Sequence, residues 1–293
     1  MKRETALQVL MARNLSGFPW LVHGFSTRIG GYSKSYGGHA LNLSYSPEDT
    51  GSAVDRNRAA FLKNLGMGGW PMIELRQIHS DITWPVGPEP GFHAEAGDGL
   101  LTCSPGLLLC VRTADCQPIL LADVRQRAVA VLHAGWKGTL RRIAEKGVGE
   151  MRRWFNSRPE DLRVAIGPGI HGCCYLVGEE VRDQFQSQFD YAESLFTVTQ
   201  ESDSIHERYP LLFLTARAPG HLEPVLPVSI RLDLAEANRR QLIAAGISGR
   251  HIWVSPLCTS CRTDLLFSHR AEKGITGRMM AVIGILASAS RLG

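Results

Sequence analysis

The chain has 293 residues, 44% of them apolar, enough for one large domain or two small ones around a sizeable core. Its net charge of +4 is the balance of 32 basic and 28 acidic side chains, and Arg141-Arg142, Arg152-Arg153 and Arg239-Arg240 are separate pairs on predicted helices, which argues against nucleic acid as a partner. Seven cysteines, an N-terminus without a secretion signal, and no apolar run near the roughly 20 residues of a bilayer span point to a soluble cytoplasmic protein with reduced thiols and no membrane partner.

Trp20–Ser26 reads as a first strand running into Thr27-Arg-Ile-Gly-Gly-Tyr-Ser33, where backbone N–H groups around paired glycines, with Arg28 among them, suit a phosphate or carboxylate contact. Residues 52–65 form a predicted helix, with Ser52 as cap, Asp55 three residues on, and Gly66 at the stop. Met72–Ser80 reads as a strand ending at His79, and Asp81–Val86 as its return, so His79 falls at a hairpin tip or strand end. Gly97-Asp-Gly-Leu-Leu-Thr102 is a turn entering a strand; Asp98 is either a catalytic carboxylate or an Asx-type turn residue. Leu107–Val111 is a buried strand leading to Asp115 and Cys116.

Ile119–Leu132 holds two apolar runs around a polar tip at Asp123–Arg127, the pattern of a β-hairpin. A turn centred on Val124 and Arg125 pairs Asp123 with Gln126, and the same register carried back sets Cys116 opposite His133. Directly opposed Cβ atoms lie roughly 5 Å apart, so a thiolate and an imidazole would share one metal or one proton, with Asp115 adding a carboxylate beside the thiol. His79 is a third candidate ligand. Farther along, residues 139–154 read as an amphipathic helix, Leu162–Ile166 as a strand and Gly178–Phe189 as a helix. Between the last two lies the Gly/Pro-rich loop Gly167–Tyr175, a common place for a substrate loop, where His171 or Tyr175 suits stacking on or hydrogen bonding to a ligand. Residues 196–228 read as a surface insertion with a short strand at Leu211–Leu214. A helix over 233–246, a strand over 251–254 and a last strand over 280–286 follow. There are no repeats and no clear domain boundary, so one domain over 1–293 is expected.

Several separated stretches agree with one another. Gln77-Ile-His79, Asp98-Gly-Leu-Leu-Thr102, Ala114-Asp-Cys-Gln-Pro118, His133-Ala-Gly-Trp-Lys-Gly138, Gly167-Pro-Gly-Ile170 with Cys173-Cys174-Tyr175, Asn238 with Gln241-Leu242, and Thr276-Gly-Arg278 resemble the bacterial laccase-like polyphenol oxidase family. Its members are also described as purine nucleoside phosphorylases with adenosine deaminase activity and as peptidoglycan editing factors. His23–Arg28 and Leu41-Asn-Leu43 fit as well. The resemblance implies an α/β (α+β) fold of a single domain, with mixed sheets between helices in four αββα layers. It also implies one zinc held by a His, a Cys and a His, which fall on His79, Cys116 and His133. Three protein ligands leave tetrahedral zinc one open position, the pattern of a catalytic site.

The implied reactions are phosphorolysis of adenosine, inosine or methylthioadenosine and deamination of adenosine, with nucleoside and phosphate as small-molecule partners. Asp115 and Asp98 are the candidates for proton transfer beside Cys116 and His133, and Arg28, Asn42, Gln77, His171 and Tyr175 for substrate contacts. Holding a metal ligand in its orientation is the other role open to Asp115. Lys137 stands where the family usually has Arg, Leu176 where it has an acidic residue, and residues 196–228 look longer than in the family. A metal-free hydrolase with Cys116 as nucleophile and His133 as base, or amide hydrolysis on a cell-wall precursor, is the competing reading. A multicopper oxidase needs many histidines, commonly as His-x-His pairs, and all ten histidines here lack such a partner. One His₂Cys site suits at most an opportunistic Cu2+.

Overall fold

The computed structural model describes residues 6–87, 95–200 and 228–287. The chain divides into two compact units, Met1–His171 with Leu234–Gly293, and Gly172–Asp233.

The first unit is built on two mixed sheets. One has the order β1 (Val9–Leu10), β2 (Leu21–Ser26), β15 (Met279–Ile285), β7 (Leu108–Thr113) and β4 (Met72–Ile73). The other runs β14 (Ile252–Val254), β10 (Leu162–Ile166), β8 (Gln117–Asp123), β9 (Ala128–Ala134), β6 (Gly99–Thr102) and β5 (Thr83–Pro85). A separate strand, β3 (Ile29–Ser33), is tied by bridges to Ala40. Facing side chains of the two sheets form one core: Phe25, Leu109, Val111 and Ile283 from the first meet Leu120, Val129, Val131 and Ala165 from the second.

Each sheet also buries its outer face. Val22, Leu108, Met280 and Val282 pack with Phe61 of α1 (Gly51–Asn64). Ile119, Leu121, Leu132 and Val164 pack with Ile143, Val148 and Met151 of α3 (Ile143–Phe155) and Leu242 of α5 (Leu234–Ala244). Burial on both faces explains why β8, β9 and β15 are apolar without alternation. The four αββα layers implied by the resemblance are thus found within this unit.

The second unit holds a three-stranded sheet, β11 (Leu176–Val177), β13 (Val228–Leu232) and β12 (Phe196–Gln200), and the helix α4 (Glu179–Gln188). The strand predicted at 211–214 lies outside the described residues. No helix among the described residues is long and apolar enough to cross a membrane.

Three local expectations need correction. The cap of α1 is Thr50, whose Oγ1 accepts from Ala53 N, and not Ser52. The predicted helix over 139–154 is two helices, α2 (Trp136–Leu140) and α3, because Arg142 adopts φ 65 between them. The predicted hairpin of 72–80 with 81–86 does not form. The strand β4 stops at Ile73 and pairs in parallel with β7, while β5 pairs in parallel with β6. Beyond Ile73, Gln77 replaces main-chain pairing, its side-chain amide donating to Arg112 O and accepting from Arg112 N, both at 2.8 Å.

Leu120 is fully buried between the sheets, whereas Ile275 is 69% exposed. Leu120→Ala is expected to lower the unfolding free energy by about 2–5 kcal/mol and Ile275→Ala by less than about 0.5 kcal/mol, measured by chemical denaturation.

Candidate metal centre

The β8–β9 hairpin brings the first two site residues together, in a register different from the expected one. Asp123 pairs with Ala128, Pro118 with His133 and Gln117 with Ala134. The turn is longer because the Asp123 carboxylate accepts from Arg125 N and Gln126 N, and Arg127 takes the left-handed φ of 50. Cys116 therefore lies diagonal to His133 and faces Gly135 across the end of the ladder. A Cβ on Gly135 would stand 3.0 Å from Cys116 Sγ and 2.9 Å from His79 Cδ2. Its φ of −76 is ordinary, so glycine is required there for space rather than for backbone conformation.

His79 reaches the same place through Asp98. Ile78 N, His79 N and Ser80 N all donate to the Asp98 carboxylate, at 3.3, 3.1 and 2.6 Å, and the Ser80 hydroxyl adds a fourth bond at 2.7 Å. Consecutive N–H groups curl around an anion only when one residue turns left-handed, and His79 does so with φ 58. Asp98 Oδ1 also lies 2.8 Å from His133 Nδ1, and Asp98 O accepts from His133 N at 2.7 Å. An ionised carboxylate only accepts, so Nδ1 carries the proton and Nε2 is left for the site. Asp98 is fully buried and His133 nearly so, whereas His79 is exposed and gives the site its access to solvent.

One donor atom from each of His79, Cys116 and His133 lies within 4.8 Å of the others. His79 Nε2 is 3.9 Å from Cys116 Sγ, and the two imidazole rings are 5.0 Å apart at 74°. Ligands at zinc-type bond lengths stand about 3.5 Å from one another, and the spacing of His79 Nε2 and Cys116 Sγ is close to that. The donor set also fits: one sulfur, two imidazoles, and a carboxylate behind one imidazole, as metal-bound histidines usually have. These three residues form a candidate metal site.

Electrostatics without an ion favour a charged pair. Burial pushes the Cys116 thiol up, but the charge of His133 and hydrogen bonds from His133 and His79 outweigh it and bring the thiol to about 6. Burial likewise opposes a charged His133, yet the Cys116 charge and the Asp98 bond lift it to about 9. Burial raises Asp98 as well, and the bonds from His133 and Ser80 more than reverse this, leaving it below its usual range.

The other residues singled out in the sequence stand elsewhere. Asp115 is buried, and its carboxylate accepts from Thr259 Oγ1 and Ser268 Oγ at Oδ1 and from Arg270 N at Oδ2, so both oxygens are held by donors of the chain. Arg28 is engaged by Thr263 O, Tyr36 O and Glu272, with its guanidinium over the Phe267 ring. Asn42 is buried and links Ser44, Asp49 and Arg278 N. Gln77 holds Arg112, as described above. Each of these three spends its polar atoms on the chain's own scaffold. His171 ends the first unit and Tyr175, which accepts from Leu232 N through its main-chain oxygen, belongs to the second. Asn238 and Gln241 hold α2 through Thr139. Gly135, Ser80, Thr259 and Ser268 were not singled out. Only Gly135 carried a signal, as a small residue two positions past a candidate ligand.

A family model described as multi-copper polyphenol oxidoreductase laccase matches residues 22–286. The chain belongs to this family. Relatives span it nearly end to end. A purine nucleoside phosphorylase of Deinococcus radiodurans is 38% identical over 282 residues, covering 95% of this chain and 93% of its own. Purine nucleoside phosphorylase YlmD of Geobacillus stearothermophilus is 34% identical over 276 residues, with 91% of each chain covered. The crystal structure of the hypothetical protein YfiH of Bacillus licheniformis superposes with a TM-score of 0.79 at 32% identity, covering 96% of this chain and 97% of that one. The family description names copper chemistry, whereas the relatives are named for phosphorolysis.

Gly135→Ala is expected to weaken metal binding by about tenfold or more while leaving the unfolding midpoint of metal-free protein nearly unchanged, and Asp98→Asn to weaken it about 10–100-fold, measured by competition with a chromophoric chelator. In metal-free protein, iodoacetamide alkylation of Cys116 should slow as pH falls through about 6, where the thiolate gains its proton, and hold a plateau up to pH 8, where an ordinary thiol is still gaining rate.

Proposed function

We propose that the protein is a zinc-dependent purine nucleoside phosphorylase that accepts adenosine, inosine and methylthioadenosine and also deaminates adenosine. The observation that carries this reading is the convergence of His79, Cys116 and His133, with Asp98 bonded to the His133 ring and to the His79 main chain, in a chain whose relatives at 34–38% identity are named purine nucleoside phosphorylases. Three ligands leave tetrahedral zinc a fourth position for a reactant. Bound there, zinc would supply Lewis-acid activation of the oxygen nucleophile, phosphate for phosphorolysis and water for deamination.

The chain's own part is positioning. Asp98 keeps the Nδ1 proton on His133 so that Nε2 faces the site. The absence of a side chain at Gly135 leaves room for the sulfur and the His79 ring. The exposed His79 side is the approach for a nucleoside. Both candidate carboxylates have their oxygens committed to donors within the chain, so we assign Asp98 and Asp115 to holding the ligands rather than to moving protons.

The lowered Cys116 thiol and raised His133 imidazole support a second reading, a metal-free thiol hydrolase acting on an amide such as a peptidoglycan precursor. Copper-dependent polyphenol oxidation has less support, since among the described residues histidines join a candidate metal site only at His79 and His133, which suits one copper rather than several.

Purified protein loaded with zinc is expected to convert adenosine and phosphate to adenine and ribose 1-phosphate, followed by chromatography, and to release inosine or hypoxanthine from adenosine. His79→Ala should lose most of its bound zinc and at least about 100-fold of the rate, a loss of about 2.7 kcal/mol in transition-state stabilisation. Wild-type protein that carries stoichiometric zinc yet leaves adenosine unchanged rejects the nucleoside reading, and activity retained after complete zinc removal favours the thiol hydrolase.

A further inference from the structure

Cys116 stands between two anchored residues. On one side the fully buried Gln117 donates from Nε2 to Ile170 O at 2.8 Å. On the other, Asp115 O accepts from Ile170 N at 2.7 Å. One loop residue thus clamps the main chain before the thiol and the side chain after it.

Asp115 itself is left-handed, with φ 95, a conformation that persists in a residue with a side chain only where the surroundings over-determine it. Its carboxylate shows what does so. Oδ1 accepts from the Thr259 hydroxyl at 2.6 Å and from the Ser268 hydroxyl at 2.7 Å, and Oδ2 accepts from Arg270 N at 2.7 Å. All three donors come from a segment more than 140 residues farther along the chain. That segment is braced in turn. Thr259 N donates to Gly169 O, Ser268 N donates to Glu272, and Glu272 pairs with Arg28.

We propose that Thr259 and Ser268 are positioning residues for the metal, holding Asp115 in the left-handed turn that aims Cys116 Sγ at His79 and His133. The inference rests on the metal reading given above and extends it to two residues that touch neither the ion nor a substrate. A buried carboxylate that loses a donor must find another or turn toward water. Either change moves the φ of Asp115 and with it the next residue, Cys116.

Thr259→Val keeps the shape of the side chain and removes the hydroxyl, Ser268→Ala removes the other, and Thr259→Ser restores a hydroxyl at 259. Three quantities are measured on the full chain: zinc affinity by chelator competition, the pH profile of Cys116 alkylation without metal, and the unfolding midpoint without metal. Thr259→Val with Ser268→Ala is expected to weaken zinc binding 10–100-fold and to move the alkylation midpoint up from about 6 toward that of an ordinary thiol. Thr259→Ser should stay within about twofold of wild type. If the double variant does not fold, Thr259→Val alone carries the test, with an expected loss of about tenfold.

A variant that is less stable yet binds zinc as wild type does, with an unshifted alkylation profile, overturns the proposal, because its hydroxyls then hold the fold and not the sulfur. If wild type itself binds no zinc, the metal reading fails, and the alkylation profile alone decides whether Thr259 and Ser268 position Cys116.

Discussion

The site depends on one buried carboxylate. Asp98 receives three successive backbone N–H groups from Ile78 to Ser80, the Ser80 hydroxyl and the imidazole of His133. A fully buried carboxylate without such donors would be protonated or expelled. With them it stays ionised, fixes the tautomer of one imidazole and holds the backbone of the residue bearing the other. The two histidines are 54 positions apart in the chain, and one side chain sets them both. The flanking glycines are part of the same device: a Cβ on Gly99 would stand 2.4 Å from Thr83 Cγ2 and 2.7 Å from Leu132 Cδ2. The loop can approach the β9 strand closely enough to bond His133 only without that atom.

The sulfur is supported by a separate network built on a second carboxylate. Asp115 collects its donors from the C-terminal segment, and through Ser268 and Glu272 the chain of contacts reaches Arg28. Arg28, read from the sequence as an anion contact, is in effect the outer brace of this network, and Asn42 and Gln77 are scaffold of the same kind. Buried polar residues in loops near a reactive centre have two uses, and a sequence motif does not distinguish them. A fully hydrogen-bonded Asn or Gln holds other residues in place, whereas a substrate-binding one must keep a polar atom free for the ligand.

The two networks meet at Gly135, where the end of the β8–β9 ladder passes within contact distance of both the sulfur and the His79 ring. The hairpin supplies Cys116 and His133 by local pairing, and its core faces are locked between the sheets and the outer helices. His133 is thus carried on a strand buried throughout and Cys116 directly precedes another, while His79, on a loop, remains exposed. A rigid base with one accessible donor suits the proposed metal site, which would have to hold an ion and still admit a reactant.

Much of this was legible in the chain. The apolar runs of β8, β9, β10 and β15 and the glycine stops of α1 and α5, Gly66 and Gly246, follow from residue type and burial, which are local properties, whereas the cap of α1 lies two residues before the one read. The trio His79, Cys116 and His133 came from strand ends and from motif resemblance together. Local pattern failed where a side chain took over a main-chain role. Gln77 pairs with Arg112 as a strand would, Asp123 lengthens the hairpin turn and so shifts the register by two, and the Asp98 nest replaces the hairpin expected at His79. The sequence by itself determined which residues could form strands, helices and ligands, because those depend on side-chain type and spacing. Only the tertiary structure decided that Asp98 and Asp115 brace the proposed ligands and that Thr259 and Ser268 stand behind Cys116, because hydrogen bonds across 18 to 155 positions of chain leave no trace in local order.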